Sequence, residues 1–110
     1  MDTINFEDFL KIDLRIGKIL SAVRIEGSNK LLKLEVDFGE DKRHIVAGIG
    51  KVYEPKSLIG KECPFVFNLA PKKFESLGIE SQGMILCPSD NGNPVLLHPD
   101  KEISPGSVMK

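Results

Sequence analysis

The sequence predicts an all-β chain closed into a small five-stranded Greek-key barrel. Three observations carry the prediction. Short apolar runs recur at strand spacing, the first of them is apolar on both of its phases, and one brief helical stretch interrupts the strands after the third. At 110 residues a single domain spanning 1–110 is expected. A domain of this size buries only about two-thirds of the surface its unfolded chain exposes, so pairing with a second copy would help it.

The elements follow in order. Asn5 suits a helix N-cap, with Asp8 three residues on near the positive helix end. Ile4 before the cap is expected to meet Phe9 as a hydrophobic staple. Phe6, Phe9 and Leu10 share one face of this short N-terminal helix, which must be buried against the core or a second copy. The first strand covers Leu14 to Ile25. Leu14, Ile16 and Leu20 fall on one phase, Ile19, Val23 and Ile25 on the other, and Gly17 lies near the switch. A strand that bends so that both faces become buried belongs in a closed barrel.

The second strand is the cleanest: Leu32, Leu34, Val36 and Phe38 alternate with Lys33, Glu35 and Asp37. Gly39 to Lys42 turns the chain into a third strand, Arg43 to Ala47. Between Val52 and Gly60, Pro55 suits a first helical position and Gly60 a helix stop, so a short plug helix is expected. A fourth strand covers Glu62 to Leu69, with Pro64 expected at its start or on a sheet edge. A polar loop, Ala70 to Gly83, leads to a fifth strand over Met84 to Cys87. Asn91-Gly92 marks a turn before a sixth strand over Pro94 to Leu97 and a Pro/Gly-rich C-terminal extension. Strand-strand-strand-helix-strand-strand is the order of an OB-fold.

Catalysis finds little support. His44 and His98 lie in no nucleophile or metal motif, and a pairing of Cys63 with His44 is not advertised by spacing. Cys63 and Cys87 form no CxxC and read as reduced core thiols. Gly48 and Gly50 make only a lone GxG without a Walker lysine. No enzyme activity, cofactor or metal is expected. Nothing resembles a signal peptide or a membrane span, so a cytoplasmic protein without membrane contact is expected.

The net charge of −1 hides an uneven distribution. From Leu14 to Lys73 twelve Lys and Arg face seven Asp and Glu, while the remainder is acidic. A basic centre can present a local positive field to nucleic acid. OB barrels hold oligonucleotides across strands two and three, between the loops joining strands one to two and four to five. Here the first loop carries Lys30, and the second carries Asn68, Lys72, Lys73, Ser81 and Gln82, with Lys33 on the wet face between them. These groups suit phosphates and 2′-hydroxyls. Glu35 and Asp37 should confine the footprint to the loop end of that face. With no Trp and one Tyr the chain has few stacking platforms, which favours the backbone and shape of a folded RNA over splayed bases. Phe74 and Met84 offer one apolar contact each.

The segments Asp13-Leu14-Arg15-Ile16-Gly17-Lys18-Ile19, Lys30-Leu31-Leu32-Lys33-Leu34-Glu35-Val36-Asp37-Phe38-Gly39, Arg43-His44-Ile45-Val46-Ala47-Gly48-Ile49, Asn68-Leu69-Ala70-Pro71-Lys72-Lys73 and Glu80-Ser81-Gln82-Gly83-Met84-Ile85-Leu86 occur in this order. Together they resemble the tRNA-binding domain found at the C-terminus of many methionyl-tRNA synthetases and as a free-standing structure-specific tRNA-binding protein. The likeness runs from Ile4 to Val108. It implies an OB fold, a homodimer, and binding of tRNA by shape without catalysis. It also implies that Ser81, Gln82 and Met84 contact tRNA. Where the family usually has Arg-Lys, this chain has Lys72-Lys73, which keeps the charge and loses a bidentate fork. Its Phe74 to Gly78 loop looks longer, and Ser28-Asn29 replaces Ala-Asp. The same resemblance allows a β subunit that also docks on a methionyl-tRNA synthetase catalytic chain. A related branch resembles an export chaperone that binds unfolded peptides. Its members tend to lose the Ser-Gln-Gly-Met and Lys-Leu-Leu-Lys segments, both present here. Phe6, Phe9 and Leu10, with the tail from Ile103 to Val108, are the expected dimer seam.

Overall fold

A computed structural model describes every residue from Met1 to Lys110. Helix α1 spans Phe6–Leu10, and the Asn5 side chain caps it by accepting from the Asp8 N–H at 2.8 Å. The long strand β1, Leu14–Arg24, is the spine. It pairs antiparallel with β2 (Leu32–Asp37) along its second half and with β4 (Glu62–Val66) along its first. Strand β3 (Lys42–Ala47) continues beyond β2, and β7 (Met84–Ile85) lies beyond β4. The path β3-β2-β1-β4-β7 is a nearly closed antiparallel barrel of the OB type. Strand β10 (Val108–Met109) adds to the start of β1, so the tail straps across the barrel.

The bend in β1 is real, but it is not at Gly17. The register with β2 slips between Ile19 and Ser21, where Leu20 is the extra residue of a bulge. The slip makes Ile16, Ile19, Ala22 and Ile25 the buried set and leaves Val23 outside. Gly17 serves a different need: a Cβ there would lie 2.4 Å from Val36 Cγ1 and 2.7 Å from Phe38 Cε1. Strand β2 alternates as its sequence requires, with Leu32, Leu34 and Val36 fully buried. Phe38 meets Phe65 and Phe67 edge-on at 5.4 and 5.0 Å between ring centroids. The plug helix α2, Pro55–Leu58, opens on its proline and drives Leu58 into the core.

Several boundaries differ from expectation. Strand β4 ends at Val66 rather than Leu69: the Phe67 N–H still bonds the Asp13 carbonyl in register at 2.7 Å, but the Asp13 N–H goes to the Asn68 side chain instead of back to Phe67. Pro64 sits inside β4, neither at its start nor on an edge strand. Its missing donor faces β7, where Leu86 N–H still bonds the Pro64 carbonyl at 3.0 Å. For that reason β7 stops at Ile85 instead of Cys87. The stretch 70–83 is not a plain loop. It holds a hairpin of β5 (Lys72–Phe74) and β6 (Ile79–Ser81) around a 3₁₀ turn at Glu75–Leu77. The expected sixth strand shortens to a two-residue ladder of β8 (Ser89–Asp90) with β9 (Asn93–Pro94), turned by Asn91 and Gly92 at positive φ.

The face of α1 is not covered within the chain. Phe6 is 71% and Leu10 62% exposed, and Ile4 is also exposed rather than stapled away. No helix is long and apolar enough to cross a membrane.

Candidate nucleic-acid interface

The outward rows of β1, β2 and β3 build the face. Val23, Lys33 and Val46 form one row, Ser21, Glu35 and His44 the next, and Lys18, Asp37 and Lys42 the third. Ser21, Val23, Lys33, Glu35 and His44 line a shallow open depression of about 170 Å³. His44 Nε2 lies 3.9 Å from Glu35 Oε2. The acidic side chains of β2 therefore sit away from the loop end, and Lys33 is the cation nearest to it.

Two loops bound that end. In the first, Gly50 N–H bonds the Lys30 carbonyl at 2.7 Å, and the Lys30 side chain passes over Gly48, its Cε 3.8 Å from where a Cβ would be. The second is the β5–β6 hairpin. Its turn reaches the first loop: Leu77 Cδ2 lies 3.4 Å from a Cβ built on Gly27. Lys72 stands opposite Ser81, and Ser81 Oγ accepts the Val46 N–H at 2.9 Å. Val46 in turn is opposite Lys33. Lys33 and Lys72 are thus three strand spacings apart, roughly 14 Å. Lys30, Lys33 and Lys72 share one rim.

The remaining expected contacts divide. Lys73 is exposed opposite Glu80, on the other face of the hairpin from Lys72. Lys72 Nζ rests 5.0 Å from the Phe74 ring centroid. Met84 is exposed on β7. Ser81, by contrast, is 4% exposed, and its hydroxyl is used twice, accepting from Val46 and donating to the Gly83 carbonyl at 2.9 Å. Gln82 clamps His44 from both sides. Its N–H donates to the His44 carbonyl at 2.9 Å, and its Oε1 accepts the His44 N–H at 3.0 Å. Asn68 is committed to the N-terminal segment, accepting from Asp13 N–H at 2.9 Å and donating to the Lys11 carbonyl at 2.6 Å.

Two arginines that the sequence did not single out hold Phe67, which lines a second depression with Arg43, Asn68 and Gln82. Phe67 is stacked between Arg15 and Arg43, whose guanidinium carbons lie 3.9 and 3.5 Å from its ring centroid. Arg43 also bonds Asp41 at 2.8 Å and donates to the carbonyls of Phe67 and Gln82. Arg15 makes a bidentate pair with Asp13 at 2.9 and 3.0 Å, and that hydrogen bonding pushes its guanidinium pKa up. Both guanidinium groups are held internally. The repeated Asp-x-Arg spacing at 13–15 and 41–43 is the signal that would have found them, since i and i+2 share a strand face.

Cys63 lacks a base placed to activate it. The neighbour of Cys63 is His98, not His44: Nδ1 is 3.7 Å from the sulfur. The same Nδ1 lies 2.7 Å from the Glu62 carbonyl, which can only accept, so the nitrogen carries the proton and cannot take one from the thiol. Burial pushes the Cys63 thiol up to about 12, which leaves it protonated at neutral pH.

A barrel of this topology, with lysines on both loops flanking an exposed strand face, is an oligonucleotide-binding module of the OB class. Residues 14–108 match the family described as "Putative tRNA binding domain". The chain belongs to this family of tRNA-binding domains. It is 50% identical over 109 residues to a methionine–tRNA ligase of Caldanaerobacter subterraneus subsp. tengcongensis, a match covering 99% of this chain and 17% of that enzyme. The chain therefore spans about a sixth of the length of this curated relative. Among solved structures, a MetRS-related protein from Pyrococcus horikoshii superposes with a TM-score of 0.91 at 36% identity, covering all of both chains. The chaperone CsaA from Bacillus anthracis superposes with a TM-score of 0.89 at 37% identity, covering 99% of this chain and 100% of that one.

Proposed function

We propose that this chain is a non-catalytic module that binds folded tRNA by backbone and shape. Lys30, Lys33 and Lys72 supply the phosphate contacts of the rim, Lys73 adds charge from the other face of the hairpin, and Met84 and the free amide nitrogen of Gln82 are further candidate contacts. Asn68 and Ser81 position the site and do not touch RNA. The observation that carries this is the meeting of the two lysine-bearing loops, with Gly27 against Leu77 and Lys33 linked to Lys72 through Val46 and Ser81. The lack of Trp and the single Tyr favour shape over base stacking.

The module acts in the cytoplasm as a homodimer, alone or docked on a methionyl-tRNA synthetase catalytic chain. Phe6, Phe9, Leu10, Val108 and Met109 line an apolar groove of about 560 Å³ that supports the dimer seam. Ile103 does not line it, because its N–H is tied to Glu62 at the opposite end of β4. Two copies holding one tRNA gain by effective concentration what each weak site lacks. A pull-down against a synthetase catalytic chain separates the two modes of action. Light scattering at micromolar concentration should return a dimer, and a monomer would remove the bivalent term.

The decisive experiment titrates the protein with folded tRNA, heat-unfolded tRNA and an unfolded peptide across a salt series. Folded tRNA should bind best and weaken steeply with salt. Lys72→Glu with Lys73→Glu should weaken that binding at low salt while leaving the melting temperature unchanged. Unchanged affinity excludes the hairpin from the site. Preference for the peptide instead favours the second reading, a peptide-binding chaperone, which the apolar groove and the likeness to CsaA support.

A further inference from the structure

Strands β4 and β7 bring the two cysteines into register. Phe65 is opposite Ile85 and Val66 is opposite Met84. The Leu86 N–H to Pro64 carbonyl bond carries the same register one residue further, although Pro64 has no N–H to complete the pair. The next opposing pair is Cys63 with Cys87. Directly opposed residues share a sheet face, and here that face is the core: Phe65 and Cys63 are fully buried, while Ile85 and Cys87 pack against the same cluster. Pro64/Leu86 is the hydrogen-bonded position, so Cys63/Cys87 is a non-hydrogen-bonded one. Such pairs have a Cα separation of about 4.5 Å, inside the roughly 4.4–6.8 Å that a disulfide spans. Both thiols are free.

We infer that Cys63 and Cys87 are a modification site for small-molecule disulfides, closing an intrachain cross-strand disulfide that joins β4 to the segment after β7. Cys87 is the less buried of the two and is the entry point. Its thiolate attacks one sulfur of oxidised glutathione, forming a mixed disulfide and releasing one glutathione thiolate. The Cys63 thiolate then attacks the Cys87 sulfur, forming the Cys63–Cys87 bond and expelling the second glutathione thiolate. The two protons from the cysteines end on the two released thiolates, so two reduced glutathione molecules leave. The geometry fits a labile link. The cysteine Cβ atoms of such a pair sit near the upper limit for a disulfide, and strained bonds are the easily reduced ones. Burial raises both thiol pKa values, so closure is slow. This site is independent of the lysine rim and of any bound RNA.

The test equilibrates the full chain with oxidised glutathione, quenches with acid, denatures, and alkylates every remaining thiol before intact-mass and peptide analysis. The expected product has lost two hydrogens, carries no glutathione, takes up no alkylating agent, and yields one peptide pair linking Cys63 to Cys87. Dithiothreitol should restore two alkylatable thiols. Cys63→Ser should instead hold a stable glutathione adduct on Cys87. Two free thiols after prolonged incubation, or a wild-type chain that retains glutathione on Cys87, overturns the inference.

Discussion

Replacing Ser81 with alanine removes one oxygen that serves two buried backbone groups, the Val46 N–H and the Gly83 carbonyl, each at 2.9 Å. The side chain is 4% exposed, so water does not readily take its place. Leaving a buried donor unsatisfied costs about 1–3 kcal/mol. Unfolding entropy of ~2.1 cal/mol/K per residue gives this chain ~0.23 kcal/mol/K, so the melting temperature should fall by about 4–13 °C. Thermal melts followed by circular dichroism check the magnitude. Titration with tRNA across a salt series, at a temperature where the variant is folded, checks the mechanism. If Ser81 acts on the barrel, the slope of log affinity against log salt stays that of the wild type, since no phosphate contact is lost. An unchanged melting temperature together with weaker tRNA binding would refute the structural role and make Ser81 a direct RNA contact.

Three further outcomes follow from other parts of the fold. Phe67→Leu keeps apolar bulk but removes the ring between Arg15 and Arg43, and two cation–π contacts at roughly 0.5–1 kcal/mol or more each should cost about 1–3 kcal/mol in urea unfolding. Gly106→Ala places a Cβ 2.0 Å from the Phe38 carbonyl oxygen at φ +90°, so the tail strap should lift and the Gly106 amide should lose its protection in hydrogen exchange. Cys63 has its folded pKa raised from the ordinary 9.0 to about 12 by burial, so above 9.0 the unfolded chain releases a proton the folded one keeps. Stability should therefore be at full value below that pH and decline as pH climbs toward about 12. Cys63→Val should remove this part of the alkaline slope.

The barrel was legible because its strongest strand alternates without interruption from Leu32 to Phe38, and because Pro55 and Gly60 bracket the plug helix. The β1 bulge was visible as a change of phase but not at its true residue. Gly17 draws attention in the sequence, yet it answers a packing demand from Val36 and Phe38 that only the folded sheet creates. Pro64 misled for a similar reason. A proline is tolerated beside a central strand when its absent N–H points at a neighbour only two residues long. The β5–β6 hairpin is faint in the sequence because Phe74 opposite Ile79 is its one apolar pair, and Lys72, Lys73, Glu80 and Ser81 fill the rest. Cys63 and His98 meet through the tail, 35 residues apart, which no spacing rule anticipates.

The segment from Ser81 to Met84 has a structural duty that bears on the proposed binding site. Short polar residues beside lysines look like phosphate ligands in a sequence, but here Ser81 and Gln82 also bond the outer edge of β3, the edge not paired with β2. Gly83 follows at φ +149°, with a Cβ position 2.9 Å from the Val66 carbonyl, so the chain passes close over β4 before Met84. Closing the barrel with side chains rather than with a longer β7 leaves the hairpin attached at its base and free to lean on the first loop through Leu77. That attachment fixes Lys72 relative to Lys33. If the lysines bind RNA as proposed, the polar residues set the distance between the cations and the cations supply the field, so changes at the two groups should separate into stability and salt dependence.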